Sequence, residues 1–128
     1  MDVFYFENEG CCKINGVAHI TGGGLPSKVG RLLKPSGYGV VLDNLFEPCS
    51  AILYCQKVGG INDRTAYGTW CMGNGLIIIT PEPEKVINEA IKFGINGKVV
   101  GRVIQEKKII IKSCGAMQKG ESLEFEIG

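Results

Sequence analysis

Residues 19–24 read His-Ile-Thr-Gly-Gly-Gly, and His19 is the only histidine of the 128 residues. An imidazole exchanges protons near neutral pH. A threonine hydroxyl both donates and accepts. Consecutive glycines open positive φ and let another group approach the main chain. Apolar residues then recur at Leu25, Val29, Leu32 and Leu33, which predicts a helix over 25–33. A glycine turn running into a helix start aims unpaired N–H groups and the positive end of the helix dipole outward, an arrangement that most often holds phosphate. Each charge-assisted bond there is worth roughly 1.5–3 kcal/mol. Gly22, Gly23 and Gly24 are therefore the candidate anion cradle, with His19 and Thr21 the polar side chains beside it. Glycine clusters also serve simply as turns, and a lone histidine is often structural; it is their adjacency that favours chemistry. Arg31, on the predicted helix, can clamp a phosphate oxygen bidentately, the other reading being a solvated or ion-paired surface arginine.

A second dense segment, Tyr67-Gly68-Thr69-Trp70-Cys71-Met72-Gly73-Asn74-Gly75, precedes a run of β-branched residues. Glycines beside a strand suggest close approach of a ligand or another backbone; a bulge explains them equally well. Cys71, Met72 and Gly73 are accordingly candidate cleft residues, with Trp70 and Met72 also read as core or interface. The six cysteines (Cys11, Cys12, Cys49, Cys55, Cys71, Cys114) contain no Cys-x-x-Cys pair, and with one histidine no zinc site is expected. Buried free thiols are the default, with Cys71 the exception to watch. Asp43, Asn44 and Glu47 read as turn formers at a strand end. Asp63 and Arg64, being adjacent, read as surface charges, and Lys107-Lys108 as a solvated hairpin tip. No Walker-type loop is present.

The elements that would position these groups alternate. Short strands are expected at 3–6 and 17–20, with a turn at Asn8-Glu9-Gly10 between them. A strand at 39–42 and a helix from Pro48 to Val58, stopped by Gly59-Gly60, come next. A short helix over 62–69 has Asn62 as its cap. Leu76–Thr80 reads as a central strand covered on both faces. A helix opens at Pro81 and Pro83, carries Val86, Ile87, Ala90 and Ile91 on its core stripe, and ends at Gly94. Residues 98–104 and 108–112 read as a hairpin through Gln105-Glu106-Lys107, and Leu123, Phe125 and Ile127 alternate with glutamates in a last strand. Interleaved elements with a strand-rich final third favour an α+β fold, helices on a mixed sheet.

The length suits a single domain, 1–128, large enough to bury a substantial core. A net charge of +1 gives no electrostatic case for nucleic acid or an anionic membrane. No run approaches membrane-spanning length and no signal-like segment opens the chain, so a cytoplasmic protein is expected. Apolar, β-rich segments suggest exposed surface, which makes a homodimer an expectation.

In order, Gly16–Leu25 with its His-Ile-Thr-Gly-Gly-Gly loop, Arg31 and Leu33, Gly37-Tyr38-Gly39-Val40-Val41-Leu42-Asp43, Tyr67–Gly75 and Val99-Val100-Gly101-Arg102-Val103 resemble the C-terminal domain of aminoimidazole ribonucleotide synthetase, also called phosphoribosylformylglycinamidine cyclo-ligase. Cys71 stands where the family's motif has asparagine, and Asn74 where it has an apolar residue. The resemblance implies an α+β, three-layer sandwich of helices on a mixed sheet and a role in purine biosynthesis. In that family ATP, with Mg, activates the formyl amide oxygen of a ribonucleotide substrate, and an amidine nitrogen closes the imidazole ring with release of ADP and phosphate. The loop would put His19 and Thr21 at the reacting end and the glycine N–H groups near phosphate. The family's N-terminal domain, with its lysine-bearing nucleotide loop, has no counterpart in these residues. The resemblance thus implies half of a site, with the main ATP and Mg site outside this chain and an ATP-binding domain or subunit as partner. The alternative is a non-enzymatic phosphate- or nucleotide-binding module, a degenerate homologue.

Overall fold

The computed structural model describes residues 12–127. The expected strand at 3–6, the turn at 8–10 and Cys11 lie outside the described residues. The elements are, in order, β1 (Gly16–His19), α1 (Gly24–Leu33) with a single 3-10 turn at Lys34–Ser36, β2 (Gly39–Leu42), α2 (Ser50–Gly59), α3 (Asp63–Tyr67), β3 (Leu76–Ile79), α4 (Pro83–Lys92), β4 (Gly101–Ile104), β5 (Lys108–Lys112) and β6 (Ser122–Glu126). The fold is α+β, as expected. The chain divides into two compact units, Ala18–Ile77 with 100–127, and 12–17 with Ile78–Val99.

The larger unit is built on a four-stranded mixed sheet of order β4-β2-β5-β6. β2 runs antiparallel to β4, with Val40 opposite Val103, and parallel to β5, with Val41 opposite Ile110. β5 runs antiparallel to β6, with Ile109 opposite Phe125 and Ile111 opposite Leu123. The alternation of these strands sends Val40, Leu42, Ile109, Ile111 and Leu123 to one buried face. Helix α1 packs on this sheet through Leu25, Val29 and Leu33, all buried, and Gly30 faces the Ile109 side chain, where a Cβ would make ordinary contact at 3.5 Å.

The expected hairpin of β4 and β5 is corrected: β2 lies between them. Two strand spacings separate β4 from β5, about 9.6 Å, and a three-residue connection can span ~13 Å when extended. Residues 105–107 therefore cross over the start of β2. Gly39 makes the crossing possible, because a Cβ there would overlap the carbonyl oxygens of Glu106 and Lys108. The strand Leu76–Ile79 is also corrected. Among the described residues it pairs only with β1, and of its four residues only Ile77 is buried.

The helix caps follow local chemistry. Asn62 Oδ1 accepts the Thr65 N–H at 2.8 Å and starts α3 where expected. Helix α2 starts two residues after Pro48, with Cys49 at its N-cap, and Gly60 closes it in the left-handed conformation (φ 63°).

In the smaller unit, α4 opens at Pro83 and ends before Gly94 (φ 74°). Of its expected core stripe only Val86 is buried; Ile91 is 60% exposed. The N–H of Lys13 donates to the Glu82 carboxylate at 2.8 Å, the Thr80 hydroxyl donates to the Lys13 carbonyl, and the Asn15 N–H donates to Ile79 O at 2.8 Å.

The crossover sets a stability test. Gly39→Ala forces backbone apart at the sheet centre and should cost at least about 1–3 kcal/mol in urea unfolding. Gly75→Ala, which meets open space at an ordinary φ, should change stability by less than about 0.5 kcal/mol.

Candidate functional site around the triple-glycine loop

Strand alternation decides where the imidazole points. Ala18 and Ile20 are buried, so His19 between them faces outward and is exposed, as is Thr21 after it. The Ile20 N–H donates to Gly75 O at 3.0 Å, which ties the base of the loop to the end of the second glycine-rich segment. The chain then turns: the Gly24 N–H donates to Thr21 O at 3.0 Å, and Gly23 takes the N-cap of α1 at φ 94°.

The three glycines divide by role. Gly24 is buried at φ 70°, and a Cβ on it would overlap the Tyr67 carbonyl oxygen. Its N–H is spent within the turn, so Gly24 serves packing. Gly22 and Gly23 are exposed, their N–H groups are not engaged among the described residues, and a side chain at Gly22 would meet open space. The α1 N-terminus has no side-chain cap and no acidic residue in its first turn, so the positive end of its dipole is uncompensated there. Gly22 and Gly23 beside His19 and Thr21 thus present donors to solvent.

Arg31 is exposed and makes no ion pair among the described residues. Gly23, Ser27 and Arg31 follow one another at intervals of four along α1, and so share a face. Eight residues separate Gly23 from Arg31, about 12 Å of helix, so a group bound by the glycines meets Arg31 only if it extends along α1.

The second segment supplies the wall behind the loop. Residues 71–74 form a tight turn in which the Asn74 N–H donates to Cys71 O at 3.0 Å. Both central residues have positive φ, Met72 at 51° and Gly73 at 88°, the pattern of a type I′ turn. A methionine there is strained, and surrounding contacts hold it. Met72 is fully buried, a Cβ on Gly73 would stand 2.5 Å from Glu47 O, and the Asn74 side chain accepts from the Phe46 N–H at 3.1 Å and donates to Met72 O at 3.0 Å. Met72 therefore belongs to the core and lines no open cleft. Cys71 is exposed. Asn74, where the motif has an apolar residue, is buried with its polar atoms satisfied.

The residue that sequence reasoning missed is Asp63, read as a surface charge. It is fully buried. Oδ1 accepts from the Gln56 amide and from the Met117 N–H at 3.0 Å; Oδ2 accepts from Ser113 Oγ at 2.5 Å and the Gln118 N–H at 2.8 Å. Burial pushes this carboxyl up, but the hydrogen bonds from Ser113, Met117, Gln56 and Gln118 outweigh it and hold the group below its ordinary 3.8. At the other end of α3, the Tyr67 hydroxyl accepts the Cys114 N–H at 3.0 Å, and burial pushes the phenol up to about 12. Arg64, between them, is exposed and lies over the Phe125 ring at 4.4 Å. A carboxylate flanked by Asn at a helix start was a visible signal, but of its partners only Gln56 is near in sequence, and Ser113, Met117 and Gln118 lie 50 or more residues away.

Among the described residues no group of three His, Cys, Asp or Glu side chains can hold a metal ion, and no helix is long and apolar enough to cross a membrane.

An α+β domain with an outward histidine, a glycine turn and an uncapped helix start defines the class. Residues 7–113 match the family described as AIR synthase related protein, C-terminal domain, and the chain belongs to that family. It is similar to the phosphoribosylformylglycinamidine cyclo-ligases of Methanosarcina barkeri (36% identical over 94 residues, 73% of this chain and 26% of the relative), Methanocaldococcus jannaschii (35% over 99 residues, 76% and 27%) and Pseudothermotoga lettingae (33% over 102 residues, 77% and 30%). The chain thus matches less than a third of the length of these curated relatives.

Two titrations check the buried groups. Asp63, depressed when folded, contributes stability that is present above the ordinary carboxyl range and is lost as pH falls through its folded value. Asp63→Asn should therefore cost about 1–3 kcal/mol at pH 7, with the gap from wild type narrowing below about pH 4 in urea unfolding series. Tyr67, raised when folded, contributes stability that is complete below about pH 10 and lost as pH rises through about 12; ultraviolet titration should show one of the four tyrosines ionising there, and Tyr67→Phe should remove that step.

Proposed function

We propose that this chain forms the substrate half of an ATP-dependent cyclo-ligase site, acting on formylglycinamidine ribonucleotide to give aminoimidazole ribonucleotide in purine biosynthesis. Gly22 and Gly23 receive a phosphate or other anionic oxygen of the ribonucleotide, Thr21 hydrogen-bonds beside it, and His19 exchanges a proton at the reacting end. Arg31 binds a more distant anionic part of an extended ligand. The single observation that carries this reading is the pair of uncommitted N–H groups at Gly22 and Gly23 beside an exposed imidazole, in a family whose relatives bear the cyclo-ligase name.

The donor set here does not fit ATP with Mg. Those ligands call for a phosphate-binding lysine loop and one or two carboxylates beside the phosphates; the chain has no Walker-type loop, and no acidic residue stands in the first turn of α1 beside the glycines. We infer that the nucleotide binds on an ATP-binding domain or subunit outside these residues. The work of this chain is orientation and electrostatics: fixed amides cost no reorganisation when negative charge develops on the substrate.

Calorimetry with ribose 5-phosphate tests the loop. Gly22→Val places a side chain over the amides without demanding an unusual φ, so binding should be lost while the melting temperature stays close to wild type. Retained binding rules out the loop as the site. Mixing the chain with a separately produced ATP-binding half of a cyclo-ligase should yield ATP hydrolysis that depends on the formyl substrate and fails with His19→Ala. Ribose 5-phosphate binding with no hydrolysis in any such mixture selects the non-enzymatic module instead.

A further inference from the structure

We propose that Asp63 is a positioning residue for the triple-glycine loop, acting through α3 and the Tyr67 carbonyl. Helix α3 has five residues, too few to hold itself in place. Both of its ends are fastened to one segment, 113–118. At the start, the Asp63 carboxylate takes hydrogen bonds from Ser113 Oγ and the Met117 and Gln118 N–H groups, while its own N–H donates to Gln118 Oε1 at 3.2 Å. At the end, the Tyr67 hydroxyl takes the Cys114 N–H. Gln56 closes the ring from α2, donating to Asp63 and accepting the Ala116 N–H at 3.0 Å.

The far side of this fastened helix is the floor of the loop. Gly24 packs against the Tyr67–Gly68 backbone so closely that no Cβ fits. Displacing α3 by a fraction of an ångström therefore moves Gly24, and with it the turn through the Gly24 N–H to Thr21 O that aims Gly22 and Gly23. Gly115 is matched to the same arrangement, since a Cβ on it would collide with the Asp63 carboxylate. The groups facing the carboxylate are neutral donors, so the charge is met by aimed dipoles and its geometry is set by them.

The effect on ligand binding rests on the proposed function of Gly22 and Gly23; the positional claim does not. Amide proton–nitrogen spectra of the full chain separate the two. Asp63→Asn swaps one acceptor oxygen for an NH2 group among donors, and Ser113→Ala removes one donor to the carboxylate, together with the acceptor of the Gly115 N–H, without changing any residue of α3. Leu123→Val, in the β6 core, controls for general loosening. The Gly22, Gly23 and Gly24 amide resonances of the ligand-free protein should shift in Ser113→Ala, and further in Asp63→Asn, by more than in Leu123→Val. Ribose 5-phosphate affinity should fall about tenfold in Asp63→Asn. Glycine resonances unchanged in Ser113→Ala, or shifted as much in Leu123→Val, overturn the proposal, as do shifted resonances with unchanged affinity in a protein that binds. If wild type binds no ribose 5-phosphate, the functional reading falls and the resonances alone decide the positional claim. If Asp63→Asn does not fold, Ser113→Ala decides both readouts.

Discussion

Two backbones meet where Gly24 passes the Tyr67–Gly68 peptide, and the loop region depends on that meeting. The approach is closer than any side chain permits, so a glycine at 24 is a steric requirement and its positive φ adds a second. One residue thereby joins the start of α1 to the end of α3. The Ile20 to Gly75 hydrogen bond joins the same two stretches of chain at the foot of the loop. With both ends of the turn fixed, Thr21, Gly22 and Gly23 are left on the outside with little freedom in how they face solvent.

A carboxylate is the side chain best suited to hold the other side of this arrangement. Donors from three directions converge on Asp63: a side-chain amide from α2, a hydroxyl after β5, and two consecutive main-chain N–H groups further along. Two ionised oxygens can accept all of them, whereas an asparagine offers one acceptor oxygen and adds donors of its own. No lysine or arginine is needed to balance the charge, and Arg64 is used elsewhere, over Phe125. A network of this kind gains strength from low local polarity only while every member is satisfied; the described residues contain no buried side-chain nitrogen or oxygen without a partner.

What the sequence made legible was local. The helix over Gly24–Leu33 was readable from apolar spacing, the start of α3 from Asn62, the end of α4 from Gly94, and β6 from alternation. The α+β class followed from the order of elements. Relations between distant segments stayed hidden. A three-residue link between two strands reads as a hairpin, and only the pairing of β2 with both strands shows otherwise; the one local sign was Gly39. Asp63 looked like a surface charge because its neighbour was Arg64 and all its partners but Gln56 lay far along the chain. Met72 was open to two readings, cleft from the glycines beside it and core from its apolar side chain; the turn folds that side chain inward. Glycines announced themselves as a group, but their division into packing (Gly24, Gly73) and open backbone (Gly22) needed coordinates.

The same geometry limits what can occupy the loop. Gly68 and Thr69, both exposed, follow directly on the Tyr67 carbonyl that Gly24 approaches, and the Thr69 hydroxyl donates to Thr65 O at 2.8 Å. Leu25, Val29, Tyr67 and Met72 are all turned into the core. The exposed amides of Gly22 and Gly23 stand beside a helix dipole without a counter-charge, the electrostatics that favour an anion over an apolar group. If the glycines hold one anionic group as proposed, Arg31, about 12 Å further along α1, is within reach only of a ligand that carries a second polar group well separated from the first.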